Sequence, residues 1–567
     1  MTSTDSPAAT LDVDNIAAPL DALLVDAAFG PWRRFLPDAS TAKLAGRMAM
    51  RPVGTVRRLS SFAAELGRIG VGGSRLAPGP RDRRFTDQAW TTNPLLRRVV
   101  QAYLASGRTI EQLIEDADLA WRDDQRVRFL AENLVEAFAP SNSPLLNPAT
   151  AKEAIDTAGM SVIRGVRNLV TDVARPPRVP QMVDMSAFAV GDNLAATPGS
   201  VVLRTDVFEL IQYAPQTTTV RQVPLLMVPP TINKYYAIDL APGRSWIENL
   251  VRSGQQTFTM SWRNPDARHA DWGVDTYVQA VLDALDAIAR ITRTEQVVLT
   301  GICSGGILAS LAASYLSETD RLAGLGLAVS VLDHRQAGMP AALTDRYLAA
   351  AATALSRRRG YLDGRTLGEV FAWLRPGDLI WNYWVNNYLL GRVPPAFDVL
   401  YWNADTTRMS ARLHADFVDI AMHNSLTQPG GTTVLGRPVD LRQVTVDSYV
   451  VAGVADHITP WQSCFKTLSM FGGEKRFVLS TSGHIAALVN PPGNPKATYQ
   501  INPQSTASPT DPQEWLGGAT TQQGSWWPDF VAWLSERSGG ERRAPRRLGA
   551  RGFAPLVAAP GTYVFDR

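Results

Sequence analysis

Cys303, Asp456 and His484 are residues able to support acyl transfer, and they occur along the chain in an informative order. Cys303 lies in "VVLTGICSGGILASL", where a short apolar and β-branched run meets a glycine-rich turn and then a helix-like series. Strand, G-x-C-x-G turn and helix together make a nucleophile elbow; its glycines, Gly301 and Gly305, leave room beside a strained nucleophile backbone. A cysteine at a helix N-terminus also meets partial positive charge, which favours the thiolate. Taken alone, such a cysteine also reads as a small buried hydrophobe, so the remaining residues must decide.

The histidines are His269, His334, His414, His423, His457 and His484. Only two of them follow late strand-like runs. "SYVVAGVADHITPW" puts Asp456 and His457 in the loop after one apolar strand, and "RFVLSTSGHIAAL" puts His484 after the next. Nucleophile, then acid, then histidine is the chain order of an alpha/beta hydrolase. Asp456 is therefore expected to hold the imidazole of His484 in the tautomer that accepts the thiol proton. His457 is read as structural or supporting. Cys464, in "WQSCF", lacks glycine flanks and is read as a buried, inert thiol. Donors for a developing oxyanion are expected from the amide of Ser304 and from "LLMVPPTINKYY", through the amide of Thr231 or Ile232; Ile232 enters the candidate site. Pro229 and Pro230 carry no amide hydrogen and can only shape that loop.

A serine in this turn would form an oxygen ester. A cysteine attacking a thioester forms another thioester, so the acyl group keeps its reactivity for a second acceptor, and the pattern suits transfer as well as hydrolysis.

The elements needed to position these groups are visible in the hydrophobic periodicity. "SVVLRTDVFELIQY", "VPLLMVPP", "QTFTMSW", "VVLT", "LAGLGLAVSVLD", "VDSYVVAG" and "KRFVLS" read as strands. "DTYVQAVLDALDAIARI" reads as an amphipathic helix with Val278, Val281, Leu282, Leu285 and Ile288 on one stripe. The expected fold class is α/β: an alpha/beta hydrolase fold over 181–538, with a cap inserted at about 333–440. A mainly helical domain over 91–180 precedes it, ending at the proline-rich "RPPRVPQM". Residues 1–90 are expected to be an irregular extension and 539–567 a solvated, arginine-rich tail. The inserted segment carries Trp381, Tyr383, Trp384, Tyr388, Phe397, Tyr401 and Trp402, which can build a subdomain core, exclude water, or accept an alkyl substrate.

Composition narrows the classes. With 567 residues, 45% hydrophobic and 19% charged, the chain can bury a large core. A net charge of +3 points to neither nucleic acid nor an anionic membrane. Two cysteines make neither a disulfide framework nor a metal cage. The start "MTSTDSPAATLDVDN" lacks a basic, then apolar leader, and no apolar run is long enough for a transmembrane segment, so a cytoplasmic address is expected.

Seven stretches, "PPTINKYYAIDL", "QTFTMSWRNPDARHADWGVDTY", "GICSGG", "VSVLDH", "RPGDLIWNYWVNNYLLG", "DHITPW" and "SGHIAALVNPPGNPKA", together resemble the poly(3-hydroxyalkanoate) synthases. The versions "WNYWVNNYLLG" and "NPPGNPKA" are most similar to the class II, medium-chain-length type. The resemblance implies polymerisation of (R)-3-hydroxyacyl-coenzyme A into polyester with release of coenzyme A, with no cofactor. Cys303 would carry the growing chain as a thioester and His484 would activate the thiol. Asp456 would orient His484 or assist deprotonation of the incoming 3-hydroxyl. It also implies a homodimer at the surface of intracellular polyester granules, with the helical domain linked to dimerisation and granule association. A cysteine-dependent esterase or thioesterase of the same fold, and a catalytically idle granule-coating protein, are the competing classes.

Overall fold

Residues 225–228, 297–302 and 448–453 are buried at every position, the pattern of parallel strands covered on both faces. The computed structural model describes residues 39–80, 82–174, 177–334, 343–374, 376–456, 458–502 and 511–567, with Leu24, Ala27 and Ala28. Its main sheet has 11 strands. They are β1 (Gly199–Arg204), β2 (Phe208–Tyr213), β3 (Leu225–Val228), β4 (Thr257–Trp262), β5 (Val297–Ile302), β6 (Leu322–Ala328), β7 (Ser448–Gly453), β8 (Lys475–Ser480), β9 (Thr498–Ile501), β10 (Thr520–Gln523) and β11 (Val557–Ala558). The spatial order is β10-β9-β8-β7-β6-β5-β3-β4-β2-β1-β11. From β8 to β4 all neighbours are parallel, and the outer strands on either side are antiparallel. Every strand read from the sequence is present. Cys303, Asp456 and His484 all lie just beyond the carboxyl ends of parallel strands, where an open α/β sheet presents its ligands.

Among the described residues, six longer helices and the single turn Ala89–Thr92 form a helical layer before the sheet: α1 (Ala39–Met50), α2 (Pro52–Gly70), α3 (Pro94–Ala117), α4 (Trp121–Ala137), α5 (Pro148–Asp156) and α6 (Met160–Ala174). The irregular extension expected before residue 90 is thus corrected by α1 and α2. Pro52 opens α2 at its first turn, where the missing N–H costs nothing. Its inward side is partly polar: Arg58 Nε and Nη2 hold both oxygens of Asp116 on α3 at 2.7 and 2.9 Å. That polarity hides the helix from a search for apolar stripes.

Against the sheet lie α7 (Val274–Thr292) and α8 (Ser304–Tyr315). α7 buries Val278, Val281, Leu282, Leu285 and Ile288, the stripe read from its sequence. α8 is buried from Ser304 to Ser314, so its sequence is apolar or small on all sides. Between β6 and β7 the chain leaves the sheet to build the cap, which contains α9 (Leu343–Arg359), α10 (Gly364–Leu374), two wide π-helical stretches at Gly377–Trp381 and Trp384–Leu389, and α11 (Ala411–His423).

α6 is pressed onto the second π-helical stretch. A methyl group at Gly165 would lie 2.8 Å from the Tyr388 carbonyl carbon. Arg164 Nε donates to Gly391 O at 3.1 Å, Asn168 Nδ2 to Asn387 O at 3.1 Å, and the Tyr388 hydroxyl to Asp172 Oδ2 at 2.8 Å.

The segment after 538 is not a solvated tail. Glu541–Arg543 pairs with Thr219–Arg221, β11 closes the β1 edge, and Tyr563 and Val564 are buried. Its apolar residues are widely spaced among arginines and glycines, and only the pairing with distant strands organises them. Among the described residues no helix is long and apolar enough to cross a membrane.

Candidate active site

β5 ends at Ile302, and the chain turns abruptly into α8 through Cys303, whose φ of 52° and ψ of −121° are rare for a side-chain-bearing residue. The turn is held from several directions. Cys303 N donates to Ala328 O at 2.9 Å, while Cys303 O accepts from Gly306 N at 2.9 Å and from the Ser330 hydroxyl at 3.1 Å. Only glycine fits beside it: a methyl at Gly301 would lie 2.5 Å from Gly306 Cα, and one at Gly305 would lie 2.5 Å from Pro229 O. The elbow therefore presses directly on the loop that leaves β3. Cys303 is half-buried and Cys464 is fully buried.

Asp456 follows β7 and His484 follows β8, at the start of a short helix, His484–Leu488. His484 Nδ1 lies 2.7 Å from Asp456 Oδ2. The remaining lone pairs of the carboxylate are occupied. Oδ1 accepts from the amides of Ile458 and Thr459, both at 2.9 Å, and Oδ2 also accepts from the Thr459 hydroxyl at 2.6 Å. The same hydroxyl is 3.1 Å from His484 Nδ1. With Nδ1 committed to Asp456, Nε2 is the ring nitrogen left for the Cys303 side chain, which is near enough to raise the proton affinity of the imidazole.

Burial alone would lower the proton affinity of His484; the Asp456 carboxylate, then the Cys303 side chain, overcome it and raise the pKa to about 10. Burial would likewise raise Asp456, but the charge of His484 and the hydrogen bonds from His484 and Thr459 hold it below the usual carboxylate range. The carboxylate thus stays an acceptor, and the ring keeps its proton beside the sulfur.

Thr231 and Ile232, the alternatives for the second oxyanion donor, separate here. The Thr231 amide donates to the Ser304 hydroxyl at 3.0 Å and is already spent. Ile232 is half-buried, and its carbonyl is held by the Thr407 amide at 3.1 Å, which fixes the plane of the following peptide. The Ser304 amide is at the first position of α8, where no helical partner exists for it. His457 lies outside the described residues. Three other histidines are engaged elsewhere: His269 with Asp266, His414 with Leu24 O and His423 with Asp419.

The aromatic run divides in two. Trp381, Trp384 and Tyr388 meet edge to face at 5.8 and 5.4 Å, and the Trp384 indole donates to Asn142 O at 3.1 Å, so this part forms the seam between cap and helical layer. Tyr401 and Trp402 belong instead to the packed cluster that Cys303 borders. Sequence reasoning missed Thr459. The available signal was a hydroxyl residue three positions after an aspartate, a spacing at which carboxylate and backbone close a turn.

Comparisons with known proteins find matches along both halves of the chain. Residues 81–250 match a family model described as "Poly-beta-hydroxybutyrate polymerase (PhaC) N-terminus", and residues 224–491 match "alpha/beta hydrolase fold". The chain is 45% identical over 533 residues to "Poly(3-hydroxyalkanoate) polymerase 2" of Ectopseudomonas oleovorans, covering 93% of this chain and 94% of that protein. It is 45% identical over 531 residues to polymerase 1 of the same organism, with 93% and 94% covered. Identity is 37% over 502 residues to the polymerase subunit PhaC of Cupriavidus necator, with 87% and 84% covered.

Proposed function

The chain belongs to the poly(3-hydroxyalkanoate) polymerase family, and from that premise we propose that Cys303 carries a growing polyester as a thioester while His484 moves the protons of each transfer. The substrate is an (R)-3-hydroxyacyl-coenzyme A. The sulfur of Cys303 attacks the thioester carbonyl, and the negative charge that develops on oxygen is met by the amides of Ser304 and Ile232. The carbon–sulfur bond to coenzyme A breaks, and the departing thiolate takes the proton from His484 Nε2. The now neutral imidazole accepts the proton of an incoming 3-hydroxyl as that oxygen attacks the acyl group on Cys303. An ester forms, the sulfur is released beside a protonated ring, and it attacks the new thioester to take the lengthened chain.

The observation that carries this reading is the ring of His484 held at 2.7 Å by Asp456 through Nδ1, with the Cys303 side chain near enough to raise the ring's proton affinity further. The four donors around Asp456 favour an orienting role over proton abstraction from the hydroxyl. The half-burial of Cys303 and the Tyr401 and Trp402 rings of its cluster fit an acyl group shielded from water.

The reading includes a homodimer in the cytoplasm at the surface of polyester granules. Support for the surface comes from α6, whose side away from the cap exposes Val162, Ile163, Val166, Val170 and Val173, with Val170 63% exposed. Contiguous apolar surface of this kind marks a contact site. Incubation with 3-hydroxydecanoyl- or 3-hydroxybutyryl-coenzyme A tests the function. Coenzyme A release with insoluble polyester is expected. Release with free acid alone would mean a thioesterase, and no release would mean an idle coat protein.

A further inference from the structure

The loop that offers the Ile232 amide is fastened at successive carbonyls. Trp262 Nε1 donates to Pro229 O at 3.0 Å, the Thr407 amide to Ile232 O at 3.1 Å, and Trp402 Nε1 to Lys234 O at 2.7 Å. Its one lysine is the odd member. Lys234 is only 3% exposed, and its ammonium donates to Asp566 O at 2.6 Å and reaches Tyr563 O at 3.5 Å. Burying an ammonium costs several kcal/mol; the charge of the Asp405 carboxylate offsets part of that cost, and the ammonium's hydrogen-bond acceptors come from a segment over 300 residues away in sequence.

That segment is itself tightly anchored. Glu209, fully buried on β2, accepts from the amides of Thr562 and Tyr563 at 2.8 and 3.0 Å and from the Thr562 hydroxyl at 2.8 Å. The Tyr563 hydroxyl donates to Thr205 O at 2.6 Å, and Arg263 stacks on the Tyr563 ring at 4.4 Å. Asn264 joins the segment to the cap, donating to Asp566 O at 3.3 Å while accepting from the Arg408 amide at 2.8 Å. Residues 562–567 thus tie β2, the loop after β4 and the cap to one side chain of the oxyanion loop.

We propose that residues 562–567, acting through Lys234, are a positioning part of the acyl-transfer centre, a clasp that holds the Ile232 amide where negative charge develops. The proposal rests on the assignment of that amide to the oxyanion. Misplacing such a donor by about 1 Å is enough to slow acyl transfer roughly 100-fold. The Cys303 and His484 pair is on other strands and keeps its geometry.

Two variants of the full chain and two reactions test the clasp. Lys234→Met removes only the ammonium, and a chain ending at Gly561 removes the clasp. Acylation is followed as the single-turnover burst of coenzyme A from a 3-hydroxyacyl-coenzyme A. Alkylation of Cys303 by iodoacetamide reports the thiol and imidazole with no oxyanion formed. Both variants are expected to lose about 10- to 100-fold in acylation while alkylation and the thermal midpoint of Lys234→Met stay near wild type. Unchanged acylation in both variants, or acylation and alkylation falling together, overturns the clasp. A wild-type protein that gives no burst would instead overturn the reading of the site itself.

Discussion

The Thr231 amide donates to the Ser304 hydroxyl at 3.0 Å, so the residue after Cys303 uses its side chain to hold the loop that leaves β3 while its own amide stays free of helical partners. Ser304→Ala leaves a buried amide unpaired, at a cost of about 1–3 kcal/mol, and loosens the loop beside the elbow. A lower thermal midpoint and a coenzyme A burst slowed about tenfold are expected; an unaltered burst would show that the loop is held without it.

Thr459 shares Asp456 Oδ2 with the imidazole. In Thr459→Val the shape is retained but the donor to the carboxylate is lost, and the ring gains freedom to tilt. kcat for coenzyme A release is expected to drop about tenfold with KM little changed, and Thr459→Ser should recover most of it. Equal losses in the serine and valine variants would assign the effect to packing of the methyl group.

The pH dependence of stability follows from the raised pKa of His484. In the unfolded chain a histidine titrates near about 6.5, and in the folded protein this one titrates at about 10. Its stabilisation is therefore present in full below about 6.5 and lost as pH rises through about 10. Asp456 works in the opposite sense, contributing above its ordinary range and losing that contribution as pH falls through its depressed value. The stability gap between wild type and His484→Gln should narrow by at least about 1 kcal/mol between pH 6.5 and 10.5, read from denaturant midpoints at each pH.

Cys303 and Cys464 should separate completely by reactivity. Burial, with the Asp456 carboxylate nearby, pushes the Cys464 thiol well up, and its sulfur donates to Thr459 O at 3.6 Å. Brief treatment with iodoacetamide at pH 7.5 should label Cys303 alone in peptide mass spectra. Cys303→Ala should abolish acylation. Cys464→Ala should keep most activity and lose about 1–2 kcal/mol of stability through the small cavity.

The exposed side of α6 gives a separate handle on location. Val166→Asp combined with Val170→Asp adds charge at side chains that are 56% and 63% exposed. The double variant should release coenzyme A from soluble substrate at the wild-type initial rate but sediment poorly with preformed polyester particles. Undiminished sedimentation would remove α6 from the granule contact.

What the sequence made legible was whatever carries its own period or its own local geometry. The stripe of α7, the all-buried strands β3, β5 and β7, and the glycine-flanked elbow are of this kind. β9 and β10 were not, because "TYQI" and "TTQQ" have little apolar content and become strands only by pairing with β8 and each other. α2 was hidden by the arginines and glycines along it, and β11 by its two-residue length. In the site, residue types and order pointed to three side chains, whereas the hydroxyls of Thr459 and Ser304 owe their importance to distances that no spacing encodes.

Gly165 has a mechanical consequence. With no side chain at that position, α6 meets the Tyr388 backbone like two parts of a joint machined without clearance. Such a joint transmits displacement rather than absorbing it. A shift of α6 must therefore be shared by the backbone around Tyr388, since no side chain stands between them to yield.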